Sequence, residues 1–455
     1  MSARLPSLGI WSETGALTSC ATFAPSAEFD CMVPAHIEAL AADAHGQYQA
    51  NPDYLLFDDL VQLSLLQSEH AQLTAVIRAV TGSAQQLDLR AMLVEILADP
   101  AAAAEIAQEV LVLEDQIEER PEKRQLARER LRDRTPGDWA TMLLSGVDPH
   151  DNERVLRWPL PNWLFARDLW AVVGDAVVVG YPRSRARKRD GILARALLKY
   201  HRLLRDAPRL DVRAAALPPS GVAADEMNSD LCVEGGDVLV ISPQLVLIGI
   251  GVRTTQRAAI ALADLLRGRG VTRVLGVHLP TRRATMHLDT IFTLVDRDAC
   301  LVFPPPFDDK SPPNDRVRVV DLAVPEIDLG CDLPNIVGQF AHRLDVIACG
   351  DGDPIAALRE QWTDGANAFC LGAGRIVLYG RNTRTLQALN RAGFEVMQPE
   401  QFVANVDLLM QGTRRLVVAL TGAELSRGRG GPRCLTLPLA RQAGLRPIAG
   451  FQPSQ

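Results

Sequence analysis

Five side chains in this 455-residue chain have the types needed for nucleophilic chemistry on a flat cation. Cys434 ends the glycine-rich run S-R-G-R-G-G-P-R-C, His287 and Asp289 share M-H-L-D-T, Glu234 opens E-G-G-D, and Asp168 closes P-N-W-L-F-A-R-D. A thiolate attacks electrophilic carbon, and a histidine can give a proton to a leaving group and later take one from water. Carboxylates gathered in one pocket repel each other and attract a cation. The guanidinium group is flat and permanently charged, and it meets carboxylates bidentately; its central carbon is then the electrophile. Taken singly, each residue has an ordinary alternative. Cys434 can be a small buried hydrophobe, Asp168 a partner of Arg167, Glu234 and Asp237 supports of a tight turn, and His287 a hydrogen-bonded core histidine.

The surrounding elements make these residues a set. Leu169 to Val173 and Ala176 to Val179 read as a hairpin, as do Val238 to Ile241 with Leu245 to Ile248, Ile291 to Val295 with Cys300 to Phe303, and Ala368 to Leu371 with Arg375 to Tyr379. A helical stretch and a further strand follow each of the last three: Thr255 to Arg267 then Val274 to Val277, Asn335 to Arg343 then Val346, and Thr383 to Ala392 then Phe394 to Val396. A helix from Gly191 to Tyr200 follows the first hairpin. A strand-strand-helix-strand unit cannot bury its apolar face alone, so its repetition implies modules around an axis. With the N-terminal part as one more module, the α/β ring has five blades. Asp168, Glu234, His287 with Asp289, and Cys434 each precede a strand run, so equivalent module positions bring them together.

Residues 90–150 differ, with helical periodicity and no strand pattern. The expected division is residues 1–89 with 151–455 as the catalytic α/β body, and residues 90–150 as an all-helical insertion. A short helix is expected over His36 to Ala44, and Tyr54 to Asp59 leads into another that carries Leu60, Leu63, Leu66, Leu73 and Ile77 and runs through about Val80. The charged stretch Glu118 to Arg134 reads as a solvated helix face.

Composition narrows the function classes. A formal net charge of −7 gives no reason to expect nucleic acid as a partner. The eight cysteines show no C-x-x-C pair, which argues against a disulfide framework and a zinc site. No signal-peptide run and no long apolar span appear, so the expected location is the cytoplasm, with no membrane partner. The basic run Arg183 to Arg189 reads on its own as a solvated loop.

These motifs resemble those of the arginine deiminases, within the guanidine-modifying group of five-bladed α/β propellers called penteins. The resemblance rests on W-S-E-T-G-A-L at Trp11, L-L-F-D-D at Leu55, P-N-W-L-F-A-R-D at Pro161, E-G-G-D at Glu234, M-H-L-D-T at Met286, R-E-Q-W-T-D-G at Arg359 and S-R-G-R-G-G-P-R-C at Ser426. It implies a pseudo-fivefold propeller of ββαβ modules with the helical insertion. It implies Cys434 as nucleophile, His287 as general acid and then base, Asp168 and Asp289 as guanidinium-binding carboxylates, and Glu234 as the group orienting His287. Asn162, Arg187 and Arg253 are implied as the groups holding the amino-acid end of the substrate, with Arg429 positioning substrate or thiol. One member of the basic run then points inward. The implied reaction is hydrolysis of L-arginine to L-citrulline and ammonia through an S-alkylthiouronium intermediate, using water and no metal or cofactor. Departures are Ala166 where the family has threonine, a different segment after Pro25, and Arg433 at a variable position. A hydrolase or amidinotransferase acting on another guanidino compound, and a catalytically silent arginine-binding protein, are the alternatives. Self-association is left open.

Overall fold

Four runs of β-branched and aliphatic residues, each broken by a short turn, form antiparallel hairpins. Trp170–Val173 pairs with Ala176–Val179, Val238–Ser242 with Leu245–Ile250, Phe292–Asp296 with Ala299–Val302, and Phe369–Gly372 with Arg375–Tyr379. The second strand of each hairpin then takes a parallel neighbour: Arg209–Leu210, Arg273–His278, Asp345–Ala348 and Arg415–Leu420. A parallel partner needs a crossover, and helices supply it, among them Lys188–Tyr200, Gln256–Arg267 and Leu333–Phe340. Residues 8–43, 46–132, 134–216, 230–322, 327–341 and 343–442 are described by this structure, a computed structural model.

A further sheet joins distant parts of the chain. Leu17–Thr22 lies between Leu437–Arg441, antiparallel, and Gln86–Asp88, parallel, with helix Leu63–Thr81 as the crossover. Hairpin strands such as Trp170–Val173 and Leu245–Ile250 are buried along their whole length. Continuous apolar runs are therefore what their sequences show.

The structure departs from the sequence reading in three elements. Over the expected helix from His36 to Ala44, the chain forms a 3-10 turn at Pro34–His36 and a strand, Leu40–Ala42, paired with Tyr48–Ala50; Ala44 itself lies outside the described residues. Turn chemistry wins over alanine's helix propensity: Gly46 takes φ +76°, and the Asn51 amide donates to the carbonyls of Ala35 and Glu38. In the fourth unit, Phe394–Met397 pairs with Arg415–Leu420, which itself takes the place beside the hairpin. The second sheet is extended by Arg318–Asp321 and Ile327–Gly330.

Between residues 89 and 145 the described elements are helices alone: Leu89–Leu97, Pro100–Ile117, Pro121–Arg130 and Pro136–Ser145. Asp88, Asp99 and Thr135 cap three of them through side-chain oxygens, and proline opens three at the position where no N–H is needed. Leu93, Val110 and Leu143 share one core with Trp163 and Leu197. Charge follows them inward. The basic run turns two residues inside, not one, because Glu114 on helix Pro100–Ile117 meets buried Arg189 at 3.1 Å. Among the described residues no helix is long and apolar enough to cross a membrane.

Candidate active site

Three short 3-10 turns, each leading directly into a hairpin, carry most of the site. They are Ala166–Asp168, Gly235–Asp237 and Leu288–Thr290. Glu234 and His287 hold the residue position just before the second and third turns, with extended backbone, so both side chains project the same way relative to their hairpins. Glycine at 236 is required by that convergence: a Cβ there would lie 2.9 Å from the His287 ring and 3.0 Å from Asp168 Oδ1.

The five residues expected to converge do so. His287 Nε2 lies 3.0 Å from Glu234 Oε2, and its Nδ1 lies 3.8 Å from Asp168 Oδ1. The Cys434 thiol points at Asp289 Oδ2 across 3.9 Å. Asp168, Glu234, His287, Asp289 and Cys434 are all buried. The four residues expected to hold substrate are here too. Asn162, Arg187, Arg253 and Arg429 line a cavity of about 20 Å³ together with Asp168, His287 and Cys434. That is room for about one water, so the site is closed. A strap over residues 55–58 closes it: Asn162 donates to the Leu55 carbonyl at 2.8 Å, Arg283 donates to the Leu56 carbonyl, and Asp58 pairs with Arg283 and Arg429. Arg429 also lies 3.6 Å over the Trp362 ring. A roomier cleft of about 820 Å³, lined in part by Trp362, Arg359 and Arg381, contains neither the thiol nor His287. The candidate site is therefore the smaller cavity, which holds the thiol and the imidazole together.

Electrostatics divide the site into a charged pair and a neutral thiol. Burial alone would lower the His287 pKa, but Asp168, Asp237 and Glu234 outweigh it and raise it to about 9. The ring is thus an imidazolium at neutral pH, with Nε2 donating to Glu234 and Nδ1 carrying the second proton toward Asp168. Glu234 is held below the usual carboxylate range: burial works against ionisation, and Arg253, His287 and Arg187 overcome it. Cys434 goes the other way. Burial, then the negative charges of Asp289, Asp168 and Asp364, push its thiol well above its ordinary value. Oδ1 of Asp168 and Oδ1 of Asp289 are buried acceptors with no hydrogen-bond donor among the described groups. Asp168, Glu234 and His287 offer donor atoms within 4.8 Å of one another, a spacing a metal ion could bridge. Here arginines already supply the positive charge: Arg187 lies 2.5 Å from Asp168 and 3.4 Å from Glu234, and Arg253 lies 3.2 Å from Glu234.

Sequence reasoning misses several participants. Arg433 stands out there only as a departure, yet its guanidinium pairs with Asp289 at 2.6 Å and with Glu13 at 3.1 Å, fully within the interior. Glu13 lies inside a quoted motif, W-S-E-T-G-A-L, and that is its only signal. Asp237, read in the sequence only as a support of its own tight turn, accepts from the Leu288 amide and from the Thr254 hydroxyl and so ties the second turn to the third. Asn367 accepts from the Arg433 and Cys434 amides.

The arginine deiminase family profile matches residues 53–441. An arginine deiminase of Listeria monocytogenes serovar 1/2a is 29% identical over 454 residues, covering 96% of this chain and 98% of that protein. One of Staphylococcus haemolyticus is 28% identical over 454 residues, covering 95% and 97%. Among solved structures, an amidinotransferase of the saxitoxin biosynthetic pathway from Microseira wollei superposes with a TM-score of 0.51 at 13% identity, covering 97% of this chain and 99% of the other, and shares its mixed α/β pentein-type fold. With the family profile spanning most of the sequence, this chain belongs to the arginine deiminase family.

Proposed function

We propose that this protein hydrolyses L-arginine to L-citrulline and ammonia, with Cys434 as nucleophile. The observation that carries the reading is the meeting of one thiol, one imidazolium and the partnerless oxygen of buried Asp168 in a single cavity, with the Asp289 carboxylate 3.9 Å from the thiol. Asp168 and Asp289 would receive the substrate guanidinium. Its positive charge offsets the field that keeps the thiol protonated, and the thiol proton leaves to solvent. The thiolate then forms a bond to the guanidinium carbon. The C–N bond to the leaving nitrogen breaks as His287 gives that nitrogen a proton, so ammonia departs and an S-alkylthiouronium stays on Cys434. His287, now neutral, takes a proton from water and the hydroxide adds to the carbon; the C–S bond then breaks, the hydroxyl proton passes to the departing thiolate, and neutral citrulline is released with the thiol restored. Glu234 orients His287. Asn162, Arg187 and Arg253 hold the amino-acid end, and Arg429 closes over the thiol.

The same reading takes residues 1–89 and 151–455 as a catalytic five-bladed propeller with residues 90–150 as a helical insertion. Five sheets that each combine an antiparallel pair with a parallel neighbour support it, as does the run of helices from Leu89 to Ser145. A cytoplasmic location is part of the proposal.

Citrulline and ammonia measured from L-arginine with the intact protein beside Cys434→Ser test substrate and nucleophile together. The variant should lose about a thousandfold or more in kcat. Turnover of agmatine with none of arginine would overturn the substrate assignment, and unchanged activity in Cys434→Ser would overturn the nucleophile.

A further inference from the structure

The first three hairpins each deliver a polar residue to the site from their entry turn, and the fourth does so as well. Asn367 stands two residues before strand Phe369–Gly372, as Asp168 stands two residues before Trp170–Val173. It is wholly buried, and its bonds run between the two halves of the chemistry. Its Oδ1 accepts from the Arg433 amide at 3.0 Å and from the Cys434 amide at 3.1 Å, and its Nδ2 donates to the Asp289 carbonyl at 2.9 Å. Packing leaves no slack: a Cβ on Gly431 would sit 2.6 Å from the same Oδ1.

We propose that Asn367 is a positioning residue that fixes the separation between the Cys434 thiol and the Asp289 carboxylate by tying their backbones together. The proposal rests on the roles given above to Cys434 and Asp289. An amide is the side chain that fits, because the site presents two donors on one side and an acceptor on the other; asparagine and glutamine pair an oxygen that can accept two bonds with a separate NH2 donor, and glutamine is one methylene too long. An aspartate in its place would satisfy the two amides but set a carboxylate oxygen against the Asp289 carbonyl. A small displacement of a nucleophile costs turnover far more than it costs binding.

Kinetics of Asn367→Ala and Asn367→Asp, with circular dichroism to establish folding, test this. The alanine variant should lose roughly a hundredfold in kcat with KM within about threefold. The aspartate variant should also lose kcat, with its pH–rate profile displaced by the added negative charge near the thiol. The rate of Cys434 alkylation by iodoacetamide should change in both. A kcat within about threefold of the parent in either folded variant, or a loss confined to KM, overturns the proposal. If Asn367→Ala does not fold, Asn367→Asp decides. If the parent protein makes no citrulline, the functional reading fails on its own, and alkylation still decides: a rate unchanged in both variants removes Asn367 from any positioning role.

Discussion

Burial and neighbouring carboxylates hold the proton on Cys434 in the free protein, and the proposed chemistry has the arriving substrate cation release it. The causes are geometric, since the thiol is buried and faces Asp289 and Asp168 with Asp364 nearby. A non-reactive arginine analogue should therefore raise the ultraviolet absorbance of thiolate at neutral pH in the parent and not in Cys434→Ser; an equal signal in both would contradict substrate-assisted ionisation. His287, with its pKa raised to about 9, is charged throughout the neutral range. The value of kcat/KM should consequently decline as pH rises through about 9, measured at arginine concentrations well below KM, and His287→Asn should cost about a hundredfold to ten-thousandfold. At this scale the sequence is informative where chemistry dictates residue type. A thiol, a histidine and carboxylates before strand runs announce themselves. Glu13 and Asn367 do not, because they act by packing and hydrogen bonding against partners 420 and 67 positions away, and no local pattern encodes such partners.

The loop that presents the thiol is held from three sides. Tyr379 donates to the Gly430 carbonyl at 2.7 Å, Arg167 donates to the carbonyls of Arg433 and Cys434, and Thr436 donates to the Arg433 carbonyl. At Gly430 itself, a methyl group would lie 2.3 Å from a Phe165 ring carbon. Gly430→Ala should accordingly destabilise the protein by about 1–3 kcal/mol, read by urea unfolding, and lower kcat as the loop moves. Hairpins and long helices are legible because apolar periodicity and turn residues agree over their whole length. Leu40–Ala42 is not, because an alanine-rich stretch reads as helix until Gly46 and Asn51 are seen to shape the turn. Arg415–Leu420 escapes for another reason: its place beside the hairpin is a matter of pairing across the chain, which periodicity does not specify.

Across the whole molecule, buried charges join parts that sequence analysis treats as separate. Arg189 and Glu114 connect the helical segment to the sheets, so Glu114→Ala should strand a buried guanidinium and cost about 3–5 kcal/mol in urea unfolding, far more than an exposed pair would. Stability against pH follows from the same groups. His287 has a folded pKa of about 9 against an ordinary 6.5, so its contribution is complete below 6.5 and lost as pH rises through 9. Asp237, raised to about 7 chiefly by burial, works in the same direction above its ordinary 3.8. Glu13, lowered to about 2 because Arg433 and Arg167 outweigh burial, contributes above 4.5 and loses that contribution as pH falls through 2. Unfolding free energy should then be greatest in mildly acidic solution, and a maximum above pH 8 would contradict this balance. The sheet that joins Leu17–Thr22 to Leu437–Arg441 has a consequence for synthesis. Protein chains emerge N-terminus first, and here Cys434 and the strand Leu437–Arg441 that pairs with Leu17–Thr22 arrive within eight residues of each other. A nascent chain can assemble the histidine and every carboxylate, yet it holds no thiol at the site until the first strand can also be paired. A chain cut short of Cys434 lacks that thiol, and one short stretch of synthesis both pairs the strand Leu17–Thr22 and brings the thiol to the site.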